Sequence, residues 1–129
     1  MESGVLFVSP YQQDARSLAR MLDAVALPLV HALTVNEAAS RLETENVQVV
    51  LSEATLEDGN WLDVLQLARR LEMEVVVTDA WADARFWAEA ISKGAYDLLA
   101  QPFHETEVRR VLASASMRRS GYMAAAGGS

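Results

Sequence analysis

Short apolar runs and helix-spaced apolar stripes alternate along the chain five times. Val5–Val8 is a run of strand type that stops at Ser9-Pro10. Ser9, Pro10 and Gln12 have the spacing of a capping box with proline at the first helical position. Leu18, Met21, Leu22 and Val25 then recur at helical spacing, and Pro28 ends that helix. Leu29–Leu33 is the second run. Thr34 and Glu37 form another capping box, opening a helix through Ala38, Ala39 and Leu42. Val47–Leu51 is the third strand, ending in Ser52 and Glu53. Asp58-Gly59-Asn60 is a turn and helix start, with Val64, Leu65, Ala68 and Leu71 as the inner stripe.

Glu74–Thr78 is the fourth strand. Ala84, Trp87, Ala88 and Ile91 predict the buried stripe of a fourth helix, and Gly94 suits a left-handed cap after Lys93. Ala95–Ala100 is the fifth strand. Pro102 ends it, and Val108, Val111, Leu112 and Ala115 carry the last helix. The strands are apolar on both faces, as in a parallel sheet covered by helices. Right-handed crossovers make this an open, doubly wound α/β sheet, with ligands beyond the carboxyl ends of the strands. The positions that matter are therefore Ser9-Pro10, Ser52-Glu53, Thr78-Asp79 and Ala100-Gln101.

Composition narrows the function. The 129 residues are 51% hydrophobic and carry a formal net charge of -7, enough for one domain with a core and too short for two. An acidic chain of this kind repels phosphate backbones and anionic lipid, so no direct nucleic-acid or membrane binding is expected. There is no cysteine, hence no disulfide framework and no thiolate metal site. The start, MESGVLFVSP, lacks a basic region and a long apolar run, so no signal peptide is expected and a cytoplasmic setting is. No stretch reaches the roughly 18 apolar residues of a membrane span.

Four motifs in order carry a resemblance. Leu56-Glu57-Asp58-Gly59-Asn60-Trp61 follows the third strand, Thr78 ends the fourth, Gly94-Ala95-Tyr96-Asp97 enters the fifth, and Gln101-Pro102-Phe103 follows it. From about Val5 to Arg119 the chain resembles the receiver domain of bacterial two-component response regulators. The resemblance implies a flavodoxin-like receiver fold, with five strands in the order 2-1-3-4-5 and five helices. It spans 4–119, leaving 120–129 as a flexible tail or linker toward an output domain, such as one that regulates transcription. It also implies a cis peptide at Gln101-Pro102.

Receivers take a phosphoryl group from a histidine kinase onto an aspartate, using Mg²⁺ held by an acidic pair and a backbone carbonyl, a lysine, and a Ser or Thr sensor. Carried over by position, the phosphoacceptor falls on Glu53 and the acidic pair on Ser9 and Pro10. The lysine falls on Gln101, the switch pair on Thr78 and Leu98, and the metal-binding carbonyl on Thr55. Only Thr78 keeps its type. Ser9 is neutral, Pro10 has no side-chain acceptor, and Gln101 donates without charge. Glu53 is one methylene longer than aspartate, and displacements of about 1 Å matter for in-line attack.

The expected function is therefore a receiver-like signalling domain of a phosphorelay-type system, a pseudo-receiver that acts through protein contacts and not as an enzyme, with no cofactor or bound metal. Glu53 is open to three roles: a mimic of phosphoaspartate reaching toward Thr78, a relic held by neutral donors, or a phosphorylatable glutamate. The alternative function is a small-molecule-binding α/β domain using the vacated pocket. No Gly-rich phosphate loop follows the first strand, and no nucleophile–base pair is assembled at the strand ends.

Partners implied are a histidine kinase, an output domain or effector, and a second copy through helix 4, strand 5 and helix 5. That face is expected to offer Arg85, Glu89, Lys93, Asp97, Arg109 and Arg110. Trp81 is placed to lid the pocket. Trp87 and Phe103 are assigned to the core, and His31 and His104 to surface or capping positions.

Overall fold

The computed structural model describes residues 4–127, with side chains through Arg118. Five strands form the sheet: β1 (Gly4–Val8), β2 (Leu29–Ala32), β3 (Val47–Glu53), β4 (Glu74–Asp79) and β5 (Asp97–Ala100). Their spatial order is β2-β1-β3-β4-β5, and every neighbouring pair is parallel. Five helices connect and follow them: α1 (Gln12–Leu22), α2 (Val35–Thr44), α3 (Trp61–Arg69), α4 (Ala84–Lys93) and α5 (Glu105–Gly127). This is the doubly wound sheet that the alternating pattern predicts.

Side chains alternate across the sheet with period two, and each face has its own core. Leu6, Val8, Val50, Val75 and Val77 meet Ala38 of α2, Val64, Leu65 and Ala68 of α3, and Ala90 of α4. Val5, Phe7, Val49, Leu51, Val76 and Leu99 meet Ala15, Leu18 and Leu22 of α1 and Val108, Val111, Leu112 and Ala115 of α5. The stripe expected on the last helix is therefore the buried one. No helix among the described residues is long and apolar enough to cross a membrane.

Caps set the element ends. Thr34 accepts from the Glu37 amide at 3.0 Å, and Asn60 caps α3 reciprocally with Asp63. Gly94 ends α4 at φ 112°, where an L side chain is strained. A Cβ there would also meet Nη2 of Arg69 at 2.1 Å, because that guanidinium donates to the Lys93 carbonyl at 2.7 Å.

Four expectations need correction. Ser9 does not cap α1: the N-cap is Tyr11, whose amide donates to Ser9 Oγ at 3.1 Å, and the helix begins at Gln12. Val25 lies in a short 3-10 turn (Asp23–Val25) and is exposed. Leu71 lies beyond the end of α3 at Arg69, ahead of a left-handed Glu72, and is also exposed. On α4 the inward residues are Phe86 and Ala90, so the stripe of Ala84, Trp87 and Ala88 faces out. The backbone of 120–127, assigned from sequence to a tail, continues α5; Gly128 and Ser129 lie outside the described residues.

Candidate functional site

Strand order reverses where β1 and β3 lie side by side, and the crevice opens beyond their carboxyl ends. Ser9 follows β1, Glu53 ends β3, Thr78 stands next to Glu53 in register on β4, and Gln101 follows β5. Ser9 and Thr78 are fully buried, and Glu53 is only 5% exposed. The sheet thus brings together four of the residues singled out by position. Gln101-Pro102 is a cis peptide.

One amide organises the site. Gln101 Nε2 donates to Glu53 Oε1 at 2.7 Å and to Thr78 Oγ1 at 3.2 Å. Thr78 in turn donates its hydroxyl to the Leu99 carbonyl at 2.9 Å. Both hydrogens of the Gln101 nitrogen are therefore engaged, and the Thr78 proton points at β5. Glu53 receives one further, long hydrogen bond, from Ser9 Oγ at 3.5 Å. Among the described residues no lysine, arginine or histidine pairs with Glu53. Burial raises its pKa above the usual 4.5; the Gln101 bond opposes this, while the charges of Asp14 and Asp79 add to it.

The fold type implies a bound Mg²⁺, which takes oxygen ligands in octahedral array and usually one or two carboxylates. The donors here do not fit it. One carboxylate oxygen is already committed to an amide, Ser9 offers a hydroxyl, and Pro10 offers nothing from its side chain. Among the described residues no three His, Cys, Asp or Glu side chains are grouped to hold a metal ion. Thr55 belongs to a short antiparallel ribbon, Thr55–Leu56 with Gly59–Asn60, in the turn after β3.

Other positions resolve differently. Trp81 is 86% exposed and does not lid the crevice. Trp87, assigned to the core, is 48% exposed, and its indole N–H donates to Asp97 at 3.1 Å. Phe103 is half-buried, edge-on to Phe7. Leu98 is half-buried against the α2–α4 core. The His31 ring stacks on Phe7, with Nε2 2.8 Å from the Ser9 carbonyl, and His104 is exposed just before α5.

The proposed output face is largely self-paired. Lys93 bonds Glu89 at 2.9 Å along α4. Arg109 turns away from this face, donating to the Met21 carbonyl of α1 at 2.8 Å and pairing with Glu105. Arg85 and Arg110 are exposed and form no ion pair among the described residues.

Two features escaped the sequence reading. Asp58 accepts from the amides of Val35 at 2.8 Å and Asn36 at 3.0 Å, capping α2 from across the molecule. Those bonds lower its pKa below the usual range. Asp14 of α1 and Gln101 both line an open cleft of about 420 Å³, together with Ser17, Met21, Ala80, Pro102 and Phe103. An acid in the first turn of α1 was the available signal for Asp14; nothing local signals the partner of Asp58.

Comparison with known proteins defines the fold. No family model matches the chain, and no curated protein matches it. Solved structures do. The chain is similar to the signal receiver domain of a Vibrio parahaemolyticus protein described as a Luxo repressor, at 20% identity and a TM-score of 0.83, covering 93% of this chain and 94% of that one. It is similar to a CheY-like response regulator receiver domain protein from Methanospirillum hungatei JF-1, at 16% identity and TM-score 0.80, covering 95% and 99%. It is also similar to the beryllofluoride-activated NtrC4 receiver domain, solved as a dimer, at 21% identity and TM-score 0.79, covering 89% and 97%. The chain has the receiver fold.

Proposed function

We propose that this chain is a receiver-like signalling module that works through protein contacts and does not run the Mg²⁺-dependent aspartyl phosphorylation cycle. The observation that carries this reading is the Gln101 amide, which holds Glu53 and Thr78 at once. A receiver needs a free carboxylate nucleophile, a cation and a hydroxyl able to turn toward the incoming group. Here the carboxylate is longer and engaged, the donors do not suit Mg²⁺, and the hydroxyl is given to Leu99. Glu53 has no direct hydrogen bond to Thr78, which favours a held relic over a mimic of phosphoaspartate. The likeness to solved receivers over nearly the whole chain supports the signalling class.

The test is incubation with Mg²⁺ and acetyl phosphate, followed by intact-mass and amide NMR spectra. Unchanged mass and unchanged Thr78 and Leu99 resonances are expected. A phosphoryl adduct on Glu53 with shifted resonances overturns the reading.

The cleft beside Gln101 favours a second reading, in which the domain binds a small molecule there. Thermal-shift screening against nucleotides and metabolites tests it, and a flat panel removes it.

A further inference from the structure

The sheet ends on one side at β2, and among the described residues no strand pairs with its outer edge. The Val5 amide donates to the Pro28 carbonyl at 2.8 Å and the Ser9 amide to the Ala32 carbonyl at 2.9 Å, so the main chain of Pro28 and Ala32 turns toward β1. By the two-residue period of a strand Val30 does the same, while Leu29 and His31 turn their N–H and C=O groups to the open edge. A short open edge is ordinary by itself. Its surroundings point to an occupant. A groove of about 280 Å³ runs between α1 and β2, lined by Gln12, Ala15, Arg16, Ala19, Leu29 and His31. Ala15 and Ala19 line it with single methyl groups, which leaves it open. Arg16 and Arg20, one turn apart on α1, are exposed and form no ion pair among the described residues. Arg20 sits in the last turn, where a cation suits the helix dipole. Arg16 is mid-helix, and no acid stands three or four residues from it.

We propose that an extended acidic segment of a partner protein adds to the sheet as a sixth strand along β2, with its carboxylates on Arg16 and Arg20. Strand addition takes its affinity from main-chain hydrogen bonds and its selectivity from alternate side chains. Leu29 and His31 supply the first. The second follows from spacing. Acids two residues apart on a strand lie about 6.6–6.8 Å apart on one face. Residues four apart on a helix are separated by about 6 Å along its axis. Two such acids therefore reach Arg16 and Arg20 together, while their methylene stems cover Ala15, Ala19 and Leu29. A second copy fits this edge less well. Leu29–Ala32 contains no acid, and pairing β2 with β2 would set the two α1 helices arginine toward arginine. The net charge of -7 opposes an acidic segment at long range, so the attraction is local and the contact weak.

The inference rests on the reading of the chain as a contact-driven module, but no phosphodonor enters its test. Phosphorylation of Glu53 would overturn that reading and leave this measurement unaffected. The probe is a blocked hexapeptide of alternating valine and glutamate, titrated into the full chain and followed by amide NMR. The expected shifts centre on Leu29, His31 and the stretch 15–20 of α1. Arg16→Glu combined with Arg20→Glu, at sites with no intramolecular ion pair to lose, weakens binding about tenfold. The same double variant gains binding to a hexapeptide of alternating valine and lysine. N-methylation of every peptide bond of the probe keeps its charge and abolishes binding, because no strand can pair. No shift at millimolar peptide overturns the proposal. So does equal binding by the double variant or of the N-methylated probe. Shifts at Leu29 and His31 that follow protein concentration without peptide assign the edge to a second copy, and overturn it as well.

Discussion

Replacing Gln101 by leucine removes both hydrogen bonds of the side chain that joins β3, β4 and β5. The 2.7 Å bond to the Glu53 carboxylate is of the charged kind, about 1.5–3 kcal/mol. The 3.2 Å bond to Thr78 is neutral and longer, about 0.5–1 kcal/mol. Glu53 is left with the Ser9 hydroxyl at 3.5 Å. Gln101 also lines the open cleft, so water replaces part of what is lost. The expected cost is therefore near the lower end of the sum, about 2–3 kcal/mol. For a domain of this size that lowers Tm by roughly 3–6 °C per kcal/mol.

Glu53→Gln behaves oppositely. It keeps an acceptor for Gln101 and removes a buried charge that has two acids near it and, among the described residues, no cation paired with it. Because the folded-state pKa of Glu53 is raised, folding favours its protonated form. That contribution is fully present below the unfolded value of 4.5 and is lost as pH rises through the folded value. Glu53→Gln is therefore more stable than the wild type at neutral pH, and the gap closes as the pH falls toward 4.5. In the Glu53→Gln background Gln101→Leu costs only about 1–1.5 kcal/mol, since both lost bonds are neutral. Urea unfolding of all four proteins from pH 4 to 8 measures these quantities. Zero coupling between the two sites, or parallel pH curves for wild type and Glu53→Gln, refutes the account of the site.

Thr78→Val conserves shape but leaves the Leu99 carbonyl without the Thr78 hydroxyl. A loss of about 1–2 kcal/mol in urea unfolding is expected, with the largest amide shifts at Leu99 and Gln101. Gly94→Ala forces an L residue to φ 112° against the Arg69 guanidinium, and about 1–3 kcal/mol is expected to be lost by thermal denaturation. Asp58→Ala removes the two hydrogen bonds that Asp58 adds to the Thr34 cap at the start of α2, at a cost of about 1 kcal/mol at neutral pH. Because the folded pKa of Asp58 is lowered, its contribution is present above the unfolded value of 3.8 and disappears as pH falls through the folded one. Variant and wild-type unfolding curves should therefore converge in acid.

The sheet was legible because its strands are apolar on both faces and are punctuated by Pro28, Asp58-Gly59, Gly94 and Pro102. The inner stripe of α5 was legible because Val108, Val111, Leu112 and Ala115 keep to one helical face over two turns, whereas the exposed Met117 starts no second stripe beside them. Helix α4 carries two apolar faces, and periodicity alone chose the longer one, whereas the sheet receives Phe86 and Ala90. At Ser9 the capping signature was real, but its oxygen serves the Tyr11 amide one step ahead of the helix. Position along the strands found Glu53, Thr78 and Gln101. It did not reveal that one amide binds the other two, because side-chain direction is fixed only when β3, β4 and β5 come into register. Asp14 went unnoticed because its role depends on α1 lying over the loop after β5.

The Asp58 carboxylate closes a non-covalent ring. From Val35 through α2, β3 and the ribbon the chain travels 23 residues, then returns to the amides it started from. Fraying of the first turn of α2 breaks its hold on the turn that follows Glu53, and that turn cannot swing without freeing the Val35 and Asn36 amides. Amide hydrogens at the start of α2 and in the segment after Glu53 therefore exchange with solvent through one shared opening event, at one rate, although α2 lies far from them along the chain.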